Sequence, residues 1–288
     1  MTLIAVPNVS EGSDLRIIHT LSAIIKGRGA RLLDIHADGD HGRSVFTVAG
    51  EPPELVAAMT ALALGAATID LTEHKGVHPR LGSLDVLPFV PHDTTMQAAI
   101  EAAHTTGAAI GERGTPVYYY GLASTRDETR ELPDIRRGGL GRLITRAASG
   151  LSPDEGPAEI DPRRGVVCIG ARDVLIAFNV FVDCDLESAR TVAAGVRGEL
   201  GPRGVRALGL DLPGAGRCQV AMNLTEPIRA GIEDAFEMVR RFTEEVGGRV
   251  TGTELVGLVP ERFRPNRNAE AARLLIEPGR SLEAALQS

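Results

Sequence analysis

"DVLIAFNVFVD", residues 173 to 183, is the stretch whose reading decides the fold. It is a run of apolar, β-branched and aromatic residues closed off by acids, which predicts a long buried strand. It follows residues 121 to 165, a stretch poor in periodic pattern and rich in charge, Gly and Pro. That stretch, including "SGLSPDEGPAEIDPRRG" (149 to 165), reads as a linker or a binding loop. A buried strand starting afresh after it predicts a second core. Beyond it come a helix at 186 to 200, strands at 204 to 212 and 217 to 225, a helix at 227 to 248 with Pro227 near its first turn, and a strand at 249 to 259. A short helical tail is expected to finish the chain.

The first half repeats this order. "LIAV" (3 to 6) reads as a strand and 14 to 27 as a helix, with Ser13 or Asp14 as cap and Gly27 as stop. Strands follow at 30 to 36 and 43 to 50, then a helix at 53 to 71 and a strand at 84 to 90. A further helix at 94 to 113 and a strand at 116 to 121 complete the patterned part. Each half approximates β-α-β-β-α-β. The expected fold class is α+β: two ferredoxin-like α/β subdomains, 1–172 and 173–288, each a sheet with helices on one face. The bare sheet faces are expected to face each other across a cleft or tunnel.

The 288 residues suffice for two modest domains with real cores. Aromatics are 3% and Trp is absent, so stacking platforms for single-stranded nucleic acid are not expected. A net charge of −7 also argues against a basic nucleic-acid face. The longest apolar stretch, 54 to 71, begins and ends in charge and reads as a buried helix, not a membrane span. Cys168, Cys184 and Cys218 are odd in number and widely spaced, which suits reduced thiols in a cytoplasmic protein. The N-terminus carries no basic and apolar leader pattern.

"HKGVHPRLG" (74 to 82) concentrates polar chemistry in a short space. His74 and His78 would share a face only on a helix, and Gly76 and Pro79 oppose one. No Glu stands between them to serve as a zincin base, so no metal is expected here. "DIHADGDHGRSV" (34 to 45) resembles a calcium loop but ends in Val45 where a bidentate carboxylate is required. A polar turn between strands is the better reading. No GxSxG, P-loop or dinucleotide fingerprint is present. General acid–base work by a histidine beside anion-holding cations is what remains. Pro79 restricts His78 to extended geometry, which aims its side chain. His78 then reads either as a catalytic base or as a histidine bonded to its own loop.

Several stretches together resemble the formiminotransferase family: "VPNVSEG" (6 to 12), "DHGRSVFTVAG" (40 to 50), "HKGVHPRLGSLDVLPFVP" (74 to 91), "PVYYYG" (116 to 121), "GARDVLIAFNV" (170 to 180), "QVAMNLT" (219 to 225) and "ELVGLVP" (254 to 260). This is the glutamate formimidoyltransferase domain, found alone in bacteria and fused to a cyclodeaminase in animals. The resemblance implies two α/β subdomains, commonly in a homodimer. It implies an enzyme that moves a formimidoyl group between N-formimidoyl-L-glutamate and tetrahydrofolate in histidine catabolism. Tetrahydrofolate is then a co-substrate, and the partners are small anionic molecules, with no nucleic acid or membrane.

The resemblance puts acid–base catalysis on His78. Arg43 and Arg80 lie in matching motifs and suit carboxylate anchoring. Asn8, Asn179 and Asn223 also match, as polar substrate contacts or as turn and strand-end residues. The family's folate segment matches Gly156, Pro157, Ala158, Glu159, Ile160, Asp161, Pro162, Arg163, Arg164 and Gly165. Arg163 and Arg164 would meet an anionic folate tail.

Four positions depart from the family pattern. His36 stands where an acid usually supports the catalytic histidine, and Val77 where Glu usually precedes it. Gly42 and Phe181 each replace a usual Asn, and "GGLGRL" (138 to 143) lacks acids often found there. A carboxylate orienting His78 is therefore expected to be missing, or supplied by Asp38, Asp40 or Asp85. The alternatives are a diverged transferase with a pocket remodelled at His36, Val77 and Phe181, acting on another amine or one-carbon or amidine donor, with or without folate, and a non-catalytic anion binder on the same scaffold.

Overall fold

Pro7 splits the N-terminal strand in two, because it has no N–H to give to a ladder. β1 (Leu3–Ala5) and β2 (Asn8–Val9) flank it. Both lie antiparallel between the same two neighbours. The computed structural model describes residues 1–265 and 280–288. By internal contacts the chain divides into two units, Met1–Asp173 and Val174–Ser288.

In the first unit, α1 (Leu15–Lys26) starts at Asp14, whose side chain accepts from Arg16 N, and stops at Gly27. β3 (Arg31–Asp38) and β4 (Arg43–Gly50) form a hairpin. α2 (Pro52–Ala66) has prolines in its first turn, where a missing N–H costs nothing. β5 (Leu84–Pro91) and α3 (Met96–Gly111) follow. Then come β6 (Val117–Gly121), α4 (Asp127–Arg130), α5 (Leu132–Arg136), α6 (Gly139–Ala148) and β7 (Val167–Ala171). β3 pairs with β4, β4 with the split strand, and that strand with β5. β7 and β6 extend the sheet in parallel beyond β5.

One sheet face is packed by α1, α2 and α3, through Phe46, Phe89, Leu55 and Leu62 among others. The other face is covered over β5, β7 and β6. Ile135 of α5 and Leu143 and Ala147 of α6 bury Tyr118, Tyr120 and Cys168 there. Each fully buried Leu or Ile contributes about 2 kcal/mol of transfer free energy. This corrects the expectation of helices on one face only. A parallel extension has no solvent-tolerant side, so both its faces must be covered. It also corrects the linker reading of 121 to 165, which holds α4 to α6. The signal overlooked is Leu140, Leu143, Ile144 and Ala147, spaced three and four apart on one helical stripe. β7 was likewise not expected.

The second unit runs β8 (Ile176–Val182), α7 (Leu186–Leu200), β9 (Val205–Leu212), β10 (Arg217–Leu224), α8 (Ile232–Glu245) and β11 (Val250–Val256). Its four-stranded sheet has the antiparallel order β11-β8-β10-β9. Alternate residues Ile176, Phe178, Val180 and Val182 enter the core beneath α7 and α8. α8 starts five residues after Pro227. The segment before it closes a turn on the Glu226 carbonyl, and Asp234 Oδ2 accepts from Gly231 N at 2.9 Å. A short helix, Leu282–Gln287, ends the described chain.

The candidate active site around His78

Two loops of the first unit meet back to back. Gly82 and Gly165 form an antiparallel bridge, and Val166 N donates to the Leu81 carbonyl at 2.9 Å. A Cβ at Gly82 would sit 1.8 Å from the Val166 carbonyl oxygen. A Cβ at Gly165, where φ is +68°, would sit 1.9 Å from that of Leu81. Only glycine allows this approach. It seats the Arg164–Gly165 end of the 156–165 segment beside the loop that carries His78, while Gly156 lies against Thr115 and Gly111.

His78 has one defined tautomer. Its Nδ1–H donates to the Pro79 carbonyl at 2.8 Å. Its Nε2 accepts from Arg43 Nη1 at 3.1 Å, because a guanidinium can only donate. The His41 ring stacks 5.8 Å away, tilted by 21°. Desolvation holds the His78 pKa well below the usual histidine range, and the charges of Arg43, Arg136 and His41 push the same way. The ring is therefore neutral near pH 7, with its basic lone pair on Nε2. The loop-bonded reading of this residue is what Nδ1 shows, and Nε2 carries the ring's lone pair beside Arg43.

Behind Pro79 lies a buried ion pair. Arg136, the last residue of α5, binds the Asp85 carboxylate through Nη2 and donates from Nη1 to the Pro79 carbonyl at 3.0 Å. Asp85 Oδ1 accepts from Leu81 N at 2.7 Å. The expected carboxylate partner of His78 is thus a backbone carbonyl, and Asp85 stands one step further back. Asp38 instead accepts from His41 N at 2.8 Å, inside the β3–β4 turn. The Asp40 carbonyl receives Val77 N at 2.9 Å. Cys168, buried beside this pair, has its thiol pushed up to about 12 by desolvation and by Asp85, so it is no nucleophile.

Arg43 opens β4 opposite Asp38, and burial lowers its pKa to about 10, which leaves it cationic at neutrality. His36 lies two residues along β3, opposite Val45. Asn8 pairs in register with that same Val45, and its Nδ2 donates to the Val6 carbonyl at 3.0 Å. Period-two alternation puts His36, Asp38, Arg43 and Asn8 on the sheet face away from α1 and α2.

Arg80 is differently employed. Its Nη2 donates to the His41 and Gly76 carbonyls at 3.2 and 3.0 Å and also to that of His78. Its Nη1 donates to the Gly42 carbonyl at 3.3 Å and lies against the His74 ring. It staples the 74–80 loop to the β3–β4 turn. His74 Nε2 donates to the Gly42 carbonyl at 2.7 Å, while its Nδ1 accepts from Gly76 N at 2.9 Å. His74 and His78 thus turn their Nε2 atoms to different partners. Gly42 has φ +62°, and a Cβ there would lie 2.2 Å from His74 Cε1. The glycine and His74 therefore go together. Among the described residues no group of three or more His, Cys, Asp or Glu side chains is placed to hold a metal ion.

In the folate-matching segment Gly156 to Glu159 and Asp161 to Arg164 are exposed, while Ile160 anchors in the core with Tyr118 and Val166. Arg163 Nε binds Asp70 Oδ2 at 2.8 Å, whereas Arg164 is exposed. Asn179, Asn223 and Phe181 belong to the second unit. Asn179 is buried and donates to Glu254 Oε2 at 2.8 Å, with Gln219 on the same oxygen at 3.2 Å. Asn223 is exposed, and Phe181 lies under the Arg217 guanidinium at 3.5 Å. Sequence reasoning missed Arg136 and His41. His41 lay inside a quoted motif and drew no attention. Arg136 lay in the segment read as a loop.

Comparison with known proteins places this architecture. The N-terminal subdomain of the formiminotransferase domain matches residues 2–172, and the formiminotransferase domain matches 177–264. A glutamate formimidoyltransferase of Streptococcus pyogenes serotype M1 is 34% identical over 264 residues, covering 89% of this chain and 88% of its own. One of Thermoplasma acidophilum is 35% identical over 266 residues, covering 89% and 88%. The formimidoyltransferase-cyclodeaminase of Gallus gallus is 35% identical over 271 residues, and the match spans 50% of that longer protein. The chain belongs to the formiminotransferase family, and it is a transferase.

Proposed function

We propose that the protein moves a formimidoyl group between N-formimidoyl-L-glutamate and tetrahydrofolate, with His78 as general acid–base. One observation carries the reading: His78 is held neutral, with Nδ1–H committed to Pro79 and the lone pair of Nε2 turned to Arg43. Such a nitrogen accepts the proton that an amine sheds as it adds to the formimidoyl carbon. The new C–N bond sends the C=N pair to the imino nitrogen, giving a tetrahedral intermediate. His78 returns the proton to the departing nitrogen as the second C–N bond breaks and the C=N bond re-forms. No net proton is gained or lost.

Charge supports the same reading. Arg43 is cationic and half-buried beside the base, as a substrate carboxylate requires. Arg80, committed to four carbonyls, serves by shaping the loop. The 156–165 segment suits an anionic folate tail, because Arg164 is exposed on a loop held against that of His78. Family membership supports small anionic partners, a setting in histidine catabolism, a cytoplasmic homodimer and subdomains 1–172 and 173–288 of ferredoxin-like type.

The test is a transfer assay with both substrates, comparing the wild type with His78→Ala. A loss of about 10²–10⁴-fold in turnover is the expected result. A diverged transferase, acting on another amine, is the second reading. Gly42, Val77 and the absence of a carboxylate on His78 Nδ1 favour it. Folded wild-type protein without turnover would select it.

A further inference from the structure

The family motifs around His78 account for the base and its loop but leave out what holds that loop from behind. The Pro79 carbonyl accepts twice, from His78 Nδ1 at 2.8 Å and from Arg136 Nη1 at 3.0 Å. Arg136 reaches it from α5, a helix whose Ile135 is fully buried against Tyr118 and Tyr120. The helix end is itself secured. Arg146 of α6 donates to the Asp134 and Ile135 carbonyls at 2.8 and 3.2 Å, satisfying groups that a helix C-terminus leaves unpaired. The other prong of Arg136 binds Asp85, a buried carboxylate on β5 that also holds Leu81 N. One guanidinium thus clamps both sides of the 78–81 turn to the sheet.

We propose that Arg136 is a positioning residue for His78: by gripping the Pro79 carbonyl and Asp85 together, it fixes the turn so that Nδ1 keeps the proton and Nε2 faces the reacting amine. The proposal rests on the proton-transfer role of His78 for its catalytic meaning. It also assigns this chain a different support from the usual carboxylate. A carboxylate on Nδ1 would stabilise the imidazolium. A carbonyl already polarised by a guanidinium stabilises it less, so the ring stays a weak, unprotonated base. The charged and titratable groups acting on the ring are Arg43 from β4, His41 from the β3–β4 turn and Arg136 from α5, while Asp38 at the end of β3, Asp85 from β5 and Arg80 from the His78 loop act on Arg43.

The test uses the full chain labelled with ¹⁵N in histidine side chains, the His78 signals assigned by their loss in His78→Gln. Wild type should show Nδ1–H with unprotonated Nε2. Arg136→Gln should move the His78 titration upward, as loss of a nearby cation does, and mix the tautomers. Arg136→Lys keeps the charge but cannot bridge both partners, so it should keep the low titration and still mix the tautomers. The acid limb of the transfer pH profile should move with the titration in Arg136→Gln. A folded Arg136→Gln protein with unchanged tautomer and titration would overturn the proposal. If that variant fails to fold, an unchanged tautomer in Arg136→Lys does the same. Because the signals are read without turnover, altered tautomers in a protein that transfers nothing would support the positioning role and defeat only the assigned reaction.

Discussion

Arg43 Nη1 lies 3.1 Å from His78 Nε2 and donates to it, so the proposed base is capped by the proposed carboxylate anchor. The two roles are coupled through one hydrogen bond. A carboxylate that draws the guanidinium toward itself uncovers the lone pair. Arg43→Ala removes a cation that holds the His78 pKa down, second only to desolvation. The expected outcome is a His78 titration shifted upward, read by side-chain ¹⁵N signals, and a KM raised for the anionic substrate. An unmoved titration would show that Arg43 does not govern the ring.

His78 should leave a mark on stability. Its folded pKa is lowered, so between that value and the ordinary value of 6.5 the unfolded chain binds a proton that the folded chain refuses. The unfolded state then binds more protons, and stability rises with pH. Stability from this group is fully present above pH 6.5 and falls away as the pH drops below it. Urea midpoints across pH 5 to 7 should decline on the acid side in wild type and decline less in His78→Gln. Equal slopes would contradict a half-buried ring held neutral.

The Gly82–Gly165 crossing predicts where a single methyl matters. Gly82→Ala drives a Cβ into a backbone oxygen and should cost about 3 kcal/mol. Gly165→Ala adds left-handed strain of about 1–2 kcal/mol to a similar clash. Gly114 has φ +85° but nothing within 4 Å, so Gly114→Ala should cost only that strain. Denaturant unfolding of the three variants separates the two effects. Comparable losses would mean that close approach is not what holds the loops together.

Arg163 and Arg164 are neighbours with different tasks. Arg163 binds Asp70, while its backbone carbonyl receives Leu71 N at 2.8 Å. Arg164 offers its exposed guanidinium outward from the same loop. Arg164→Ala should weaken tetrahydrofolate binding several-fold, with a steeper loss for polyglutamylated forms, and leave the melting temperature unchanged. Calorimetric titration at two salt concentrations checks this. Undiminished affinity would remove the segment from the proposed folate contacts.

Much of the fold was legible because it is local. Helix 186 to 200 was readable to the residue, since Asp185 caps it and its apolar positions recur at helical spacing. The strands that alternate or run apolar were found to within three residues at either end, the widest misses being the start of β8 and the end of β11. The segment from 121 to 165 was not, because its helices are short and its apolar residues thinly spread. Their stability comes from covering Tyr118 and Tyr120, and that is a tertiary fact. Pro227 misled for a related reason. A proline suits a first helical turn, but here it belongs to the turn ahead of α8.

By itself the sequence determined the local frame of the site. Pro79 constrains His78, glycines permit the loop crossing, and the β3–β4 alternation puts Arg43 and Asp38 on one face. Only the tertiary structure decided what that histidine is. Its basicity is lowered first by desolvation and then by Arg43, Arg136 and His41, which lie up to 58 positions from it, and its tautomer is set by Arg43 and by the Pro79 carbonyl that Arg136 and Asp85 brace. Proton affinity depends on charge and solvent within a few ångströms. Which side chains come that close is set by packing between distant segments, and no local pattern carries it.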